Sequence, residues 1–438
     1  MAGIEGIMES LAARLNGAAR GAIRSTGRGG MVAGAGRTAG RAAAAAALLA
    51  AAGCASSSGS GGGTAAEAPA PPPAAAARPA RLDPSAPAPV AVLVPLGAAD
   101  PAAAAAARDV ADGARLAAEA AGGRLVVLTV RDTGGTPAGA AGAARAALEA
   151  GSGLVLGPLF GANAEAVAGP AAARGVNLLT FSNTPSVAGG EAGNVWLAGV
   201  LAEDEAERIL AHASRLGVRT VGVYHPDDAA GAVGRRAAEE AGRRLGLRIA
   251  PTLAYPRSFQ GIQDSAEGYV EAHRAAGADA VLLPDGGQGL QAAAAFLNFH
   301  DLSTRDTPFL GLAAWDDPAT PTENALIGGR FASLDPALTA DFAARFEARY
   351  GRAPGPLAVL GHDAAAAAAE MARRARAAGD ATPFDAEAIT DPAGFRGAAG
   401  RIRFTPDGRN RRDLAVIRVV RDGFETVEPA ATAAGPGA

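Results

Sequence analysis

The sequence predicts an α/β protein built from two doubly wound parallel-sheet lobes with a cleft between them. Three observations carry that prediction. Short runs rich in leucine and β-branched residues recur roughly every 25 to 35 residues from Val90 onward. The gaps between the runs hold helical stretches, which is the alternation of a parallel sheet covered on both faces. The series then restarts behind a strongly amphipathic helix. In the first series the expected strands are Val90–Val94, Leu125–Val130, Leu154–Leu156, Leu178–Phe181 and Val195–Leu197, with helices over Arg108–Ala121 and Ala140–Ala150 between them. The dividing helix spans Glu203–Leu216, with Ala206, Ile209, Leu210, Ala213 and Leu216 on one face and Gly217 stopping it. The second series holds strands at Val221–Tyr224, Arg248–Leu253, Ala280–Leu283 and Phe309–Leu312. Asp335-Pro336 opens a further helix by the cap-then-proline signal, with Leu338, Phe342 and Phe346 as its buried stripe and Gly351 at its end. Near the end, Gly400–Phe404 and Ala415–Val420 read as two strands joined through Thr405-Pro406-Asp407-Gly408, a change from βα to ββ.

Composition narrows the function classes. The 438 residues are 49% hydrophobic but only 4% aromatic, and all 40 basic residues are arginine. Alanine supplies most of the hydrophobic count in every region, a pattern that fits GC-rich coding bias, so alanine is discounted in the pattern reading. A net charge of −4 speaks against nucleic acid as a partner. A single cysteine excludes a disulfide framework, a CxxC redox pair and a cysteine zinc site.

That cysteine, Cys54, ends a targeting pattern. Arg37 and Arg41 precede an apolar run from Ala42 to Ala52, followed by Gly53-Cys54. The run is shorter than the about 20 residues that span a bilayer. Residues 1–54 therefore read as a signal peptide whose Ala51-Ala52-Gly53-Cys54 end resembles a bacterial lipobox, making Cys54 the expected lipidation site; translation is expected to start at Met31. Residues 55–87, rich in Ala, Pro, Gly and Ser, read as a disordered tether with a root-mean-square reach of about 30 Å. Residues 429–438 read as a second disordered tail.

Catalytic signatures are missing. The five histidines, His212, His225, His273, His300 and His362, show no metal-ligand spacing, and neither a GxSxG elbow nor a Walker A loop occurs. No catalytic residue, metal or cofactor is expected, and the chain reads as a binding protein. Ligands of open parallel sheets gather at the carboxyl ends of the strands. In the first lobe those ends offer Leu96, Gly157-Pro158-Leu159-Phe160 and Ser182-Asn183-Thr184, where glycine exposes backbone amides and the polar trio adds hydroxyl and amide partners. The same polar residues also suit ordinary turn caps. In the second lobe the ends offer Tyr224, Asp228, Asp285, Gln288, Trp315 and Asp316. Trp315 suits either an aromatic ligand wall or lobe–lobe packing.

Several segments in the correct order carry a family resemblance. VAVLVPLGAAD, LVVLTVRDTGGTPAGAAGAARAAL, GLVLGPLFG and NLLTFSNTPSVA resemble the first lobe of type I periplasmic binding proteins of the leucine/isoleucine/valine-binding kind. FEARYGRAPGPLAVLGHDAAAAAAE, with His362 where tyrosine is usual, and FRGAAGRIRFTPDGRNRRDLAVIRV resemble that family's closing segments. GLAAWDDP and RDTGGTP are most similar to the penicillin-binding protein activator branch of proteobacterial lipoproteins. The resemblance implies a 88–428 binding domain with a three-segment hinge. Lobe 1 would comprise about 88–200, 318–334 and 358–400, lobe 2 about 201–317 and 335–357, with a closing hairpin at 400–425. It further implies a non-enzymatic lipoprotein of the Gram-negative periplasm. Such a protein would bind a small polar ligand, of amino-acid or amide type, for an ABC permease; the alternative is a regulator that touches a penicillin-binding protein. The loops at Gly157–Phe160 and Ser182–Thr184 would hold a ligand carboxylate, and Asp228, Asp285 or Asp316 an ammonium group.

Overall fold

The computed structural model describes residues 78–430. The signal segment with Met31 and Cys54, the tether positions 55–77 and positions 431–438 of the expected 429–438 tail lie outside the described residues; Ala430 of that tail is instead buried, its amide donating to Asp335 Oδ2 at 2.9 Å. Residues 78–87, expected in the tether, instead pack on the first lobe: the Ala80 amide donates to Gly175 O at 2.9 Å and the Leu82 amide to Ala381 O at 2.8 Å.

The first sheet contains β1 (Ala88–Val94), β2 (Val126–Asp132), β3 (Leu154–Leu156), β4 (Asn177–Thr180) and β5 (Val195–Leu197), all parallel in the order β2-β1-β3-β4-β5. Between them run α1 (Pro101–Ala120), α2 (Pro137–Glu149) and α3 (Gly161–Ala172). Local chemistry sets the starts: Asp100 caps α1 through the Ala102 amide and Thr136 caps α2 through the Gly139 amide, each followed by a proline. The second lobe opens with α4 (Ala202–Arg215) and continues β6 (Thr220–Pro226), α5 (Ala229–Leu245), β7 (Arg248–Tyr255), α6 (Phe259–Ala276), β8 (Ala280–Leu283), α7 (Gly287–Phe299), β9 (Phe309–Gly311) and β10 (Arg330–Ser333). The chain then returns to the first lobe with α8 (Pro336–Tyr350), α9 (Ala358–Ala378), α10 (Ala386–Ile389) and the antiparallel trio β11 (Phe395–Gly397), β12 (Gly400–Phe404) and β13 (Asn410–Arg412). It ends in the second sheet with β14 (Ala415–Val420) and β15 (Gly423–Glu428), giving the order β15-β14-β10-β9-β8-β6-β7.

Three segment assignments change. Residues 330–333, expected in lobe 1, form β10, which pairs with β9 and β14 in the second sheet. Residues 336–350, expected in lobe 2, form α8, whose Phe342 and Phe346 fill the first-lobe core beside Val110 and Leu360. The expected hairpin between 400–404 and 415–420 does not form: β12 pairs with β11 and β13, while β14 crosses to the other lobe. Each of these errors concerns which distant partner a strand or helix meets, which local pattern does not encode.

Alanine also proves structural where it was discounted. Ala107, Ala111 and Ala114 of α1 and Ala358, Ala364, Ala365 and Ala368 of α9 are buried in one cluster. The two helices meet at Gly113 and Gly361, where an added Cβ would collide with Ala358 O and Val110 O respectively. Only small side chains permit so close an approach.

Three short crossovers, 198–201, 334–335 and 413–414, join the lobes. Asn410 Nδ2 donates to Leu197 O at 2.7 Å and Gly199 O at 2.9 Å, tying β13 to the first crossover. Arg412 Nη2 donates to Ala198 O at 3.2 Å, and its Nη1 pairs with Asp363 Oδ2 at 2.9 Å. That pair is fully enclosed, with side chains 1% and 0% exposed. Burial pushes the Asp363 carboxyl up, but His362 and Arg412 outweigh it and hold it below the usual range.

Candidate functional site: the interlobe cleft

The crossovers show where the cleft lies. β5 ends at Leu197 and enters α4 of the second lobe within four residues; β10 ends at Ser333 and enters α8 of the first lobe within two. The carboxyl edge of each sheet therefore lies at the crossovers, and the loops that follow β1, β3, β4, β6, β7 and β8 stand at those edges.

On the first-lobe edge, Gly157 sits at φ +103°, a conformation that favours glycine, and its amide donates to Leu179 O at 2.7 Å. Pro158 O accepts the Thr180 hydroxyl at 2.7 Å and the Phe181 amide at 3.1 Å, so this loop is locked to β4. Leu96 and Leu159 are half-buried, and Phe160 is exposed. Phe160 begins α3, which has no side-chain cap, leaving the Gly161 and Ala162 amides unpaired among the described residues. The loop after β4 folds over this helix start: an added Cβ on Gly161 would come 2.9 Å from Thr184 Oγ1. Ser182 is buried, its hydroxyl accepting the Thr184 amide at 3.1 Å, while Asn183 and Thr184 are exposed. The first lobe thus concentrates hydrogen-bond donors at a helix N-terminus, an arrangement suited to a carboxylate. Asn163, in the same first helical turn, is 2% exposed with its Nδ2 unpaired. The sequence reading passed over it.

The second-lobe edge differs from expectation. Tyr224 is fully buried, with its hydroxyl donating to Ile262 O at 3.0 Å and its ring 4.5 Å from Tyr255 and 4.7 Å from Tyr269. Trp315 is also fully buried, its Nε1 donating to Leu283 O at 3.0 Å. Neither ring lines the cleft or the lobe–lobe contact. Glycines make room for buried rings beneath the sheet edge: a Cβ on Gly222 would collide with Tyr269, which stacks on Tyr224, and one on Gly311 with Trp315. In a chain with few aromatics the large rings fill the core. Asp316 is exposed but accepts Ser333 Oγ at 2.9 Å, which places it beside the second crossover. Gln288 is exposed in the first turn of α7.

Asp228 and Asp285 are brought together by a residue the sequence reading missed, Arg257, in the loop after β7. Asp228 Oδ1 caps α5 through the Gly231 amide at 2.9 Å, and its Oδ2 accepts Arg257 Nε at 2.6 Å. The Gly231 amide, with Arg257, holds the Asp228 carboxyl below its usual range although burial pushes it up. Asp285, almost enclosed, accepts the Gly286 amide at 2.8 Å and the Tyr255 hydroxyl at 2.6 Å, and forms an ion pair with Arg257 Nη1 at 3.0 Å. Burial and this carboxylate keep Tyr255 protonated. A second overlooked acid, Glu205 in the first turn of α4, is buried and accepts the Ala313 amide at 3.0 Å; burial pushes its carboxyl up to about 7. Its signal was the acidic triplet Glu203-Asp204-Glu205 directly after the first crossover.

Among the described residues no cluster of histidine, cysteine and acid could hold a metal ion, and no helix is long and apolar enough to cross a membrane.

Comparison with solved structures gives the same architecture at low identity. A Rhodospirillum rubrum protein described as a branched-chain amino acid ABC transporter superposes with a TM-score of 0.67 at 21% identity, covering 78% of this chain and 100% of its own. A Desulfitobacterium hafniense ABC transporter substrate-binding protein in complex with Leu gives 0.60 at 20%, covering 78% and 99%. A Rhodopseudomonas palustris solute-binding protein in complex with 3,4-dihydroxybenzoic acid gives 0.58 at 16%, covering 80% and 99%. No curated protein sequence matches the chain. The family model for periplasmic binding proteins matches residues 87–424, nearly the whole described domain. The chain belongs to the periplasmic binding protein family.

Proposed function

We propose that this protein is the substrate-binding component of an ABC importer, taking a small polar metabolite with a carboxylate into the interlobe cleft. It is non-enzymatic and works in the periplasm, held to a membrane through Cys54. The observation that carries this reading is the donor cluster on the first-lobe edge, where the uncapped start of α3 meets exposed Asn183 and Thr184. The family and the structural neighbours support it. A regulator of a penicillin-binding protein, the alternative suggested by GLAAWDDP, would have no use for such donors at the carboxyl edge.

A thermal-shift screen of the full chain against a metabolite library tests the proposal. A true ligand at 100 times its dissociation constant stabilises by about 2.7 kcal/mol, which a melting curve resolves. A library without a hit, together with capture of a penicillin-binding protein by the purified chain, would replace this reading with the alternative.

A further inference from the structure

We infer that Arg257 is the group the second lobe presents to the ligand, and that it selects a molecule whose far end is a hydrogen-bond acceptor. A second carboxylate or a phenolic oxygen would meet it, in place of an ammonium group. The inference rests on the cleft reading above and names the ligand class for that site.

Asp228 accepts a helix-capping amide on one oxygen and Arg257 Nε on the other. Asp285 accepts two donors, pairs with Arg257 Nη1 and has a side chain only 2% exposed. An arriving ammonium could reach only the remaining lone pairs of Asp228, whose side chain is 39% exposed, and would sit beside the Arg257 guanidinium that repels it. Arg257 is the reverse case. Of its five N–H groups, Nε and Nη1 hold the two acids, while Nη2 has no partner among the described residues and the side chain is 45% exposed. The unused edge offers donors and no acceptor.

Net charge does not reverse this preference. α5, α6 and α7 all start at this edge, after β6, β7 and β8, and each helix N-terminus carries roughly half a positive charge. Together with Arg257 they offset most of the charge of Asp227, Asp228 and Asp285, so the cluster is close to neutral and free donors decide what binds. Arg257 is also positioned in advance: Pro256 fixes the backbone before it, Ser258 caps α6 through the Gly261 amide after it, and the two acids anchor the guanidinium. The ligand class that follows is a small organic acid bearing a second acceptor.

Matched probes test this on the full chain by calorimetry. Glutarate and γ-aminobutyrate are both four- to five-carbon chains with one carboxylate in common and differ in the far group; 4-hydroxybenzoate and 4-(aminomethyl)benzoate form a second pair. In at least one pair the acceptor-ended member is expected to bind at least tenfold more tightly than its ammonium-ended counterpart. Arg257→Met should remove that preference by weakening the acceptor-ended member, and Arg257→Lys should retain part of it. The assignment is overturned, with the cleft reading intact, if L-leucine or an ammonium-ended probe binds wild type and Arg257→Met equally well. It is overturned likewise if a library ligand lacks a second acceptor. If neither the probes nor the library bind, the cleft reading itself falls and this assignment falls with it.

Discussion

Arg412→Met removes one half of the enclosed pair at the hinge, and the structure sets the scale of the loss. Asp363 would keep the Ala398 amide, at 2.6 Å on Oδ1, and its long contact with His362 at 3.4 Å, but Oδ2 would face a buried space with no cation. Ala198 O of the first crossover would lose its donor as well. Breaking a buried pair by removing one partner destabilises by about 3–5 kcal/mol, because the remaining charge is uncompensated. Adding Asp363→Asn removes that charge, so the double variant should recover about half of the loss or more. The assay is urea unfolding followed by tryptophan fluorescence. Trp196 is buried in the first lobe and Trp315 in the second, and they are the chain's two tryptophans. Trp315→Phe in each background leaves Trp196 as a separate reporter of the lobe that holds Asp363. A loss below about 1 kcal/mol, the range of an exposed pair, would refute the reasoning. So would a double variant as unstable as the two single effects added together.

Further predictions concern other sites. Gly361→Ala should destabilise the first lobe by about 1–3 kcal/mol, since its Cβ would meet the Val110 backbone carbonyl and neither helix can yield without moving the other; a urea midpoint within error of wild type would contradict the packing account. Glu205 titrates near 7 in the folded state, above the 4.5 of an ordinary glutamate, so its contribution to stability is fully present below about pH 4.5 and is lost as pH rises through 7. Glu205→Gln should therefore gain up to about 3 kcal/mol over wild type between pH 4.5 and pH 8, and an equal difference at both pH values would count against a buried, protonated carboxyl. Phe160→Ala, which removes an exposed side chain at the cleft, should change unfolding stability by less than about 0.5 kcal/mol while altering ligand affinity; a large stability loss would show it to be a core residue.

Much of the architecture is legible in the residues because it is local. Leu154–Leu156, Val195–Leu197 and Ala280–Leu283 are strands at the expected positions, and Asp335-Pro336 starts a helix that Gly351 ends in the left-handed conformation. The exchange of β10 and α8 between lobes is not legible, because it depends on pairings across the whole chain. The candidate site divides the same way. Gly157, Asn183 and Thr184 stand at the first-lobe edge because a loop after a parallel strand must end there. Tyr224 lies within β6 and stacks on the buried Tyr255 and Tyr269, and Trp315 follows β9 but fills the notch left by Gly311, so both rings go into the core. Arg257 could not be singled out from its own loop. Its role arises from Asp228 and Asp285, which are contributed by two other loops.

On the proposed function, one small ligand binds between the two carboxyl edges and uses both. Isothermal titration of a ligand retained from the metabolite screen, against wild type, Asn183→Ala with Thr184→Ala, and Arg257→Ala, tests it directly. The account predicts a single site in wild type and a dissociation constant at least tenfold weaker when either lobe is altered. An unchanged dissociation constant in both variants would contradict it.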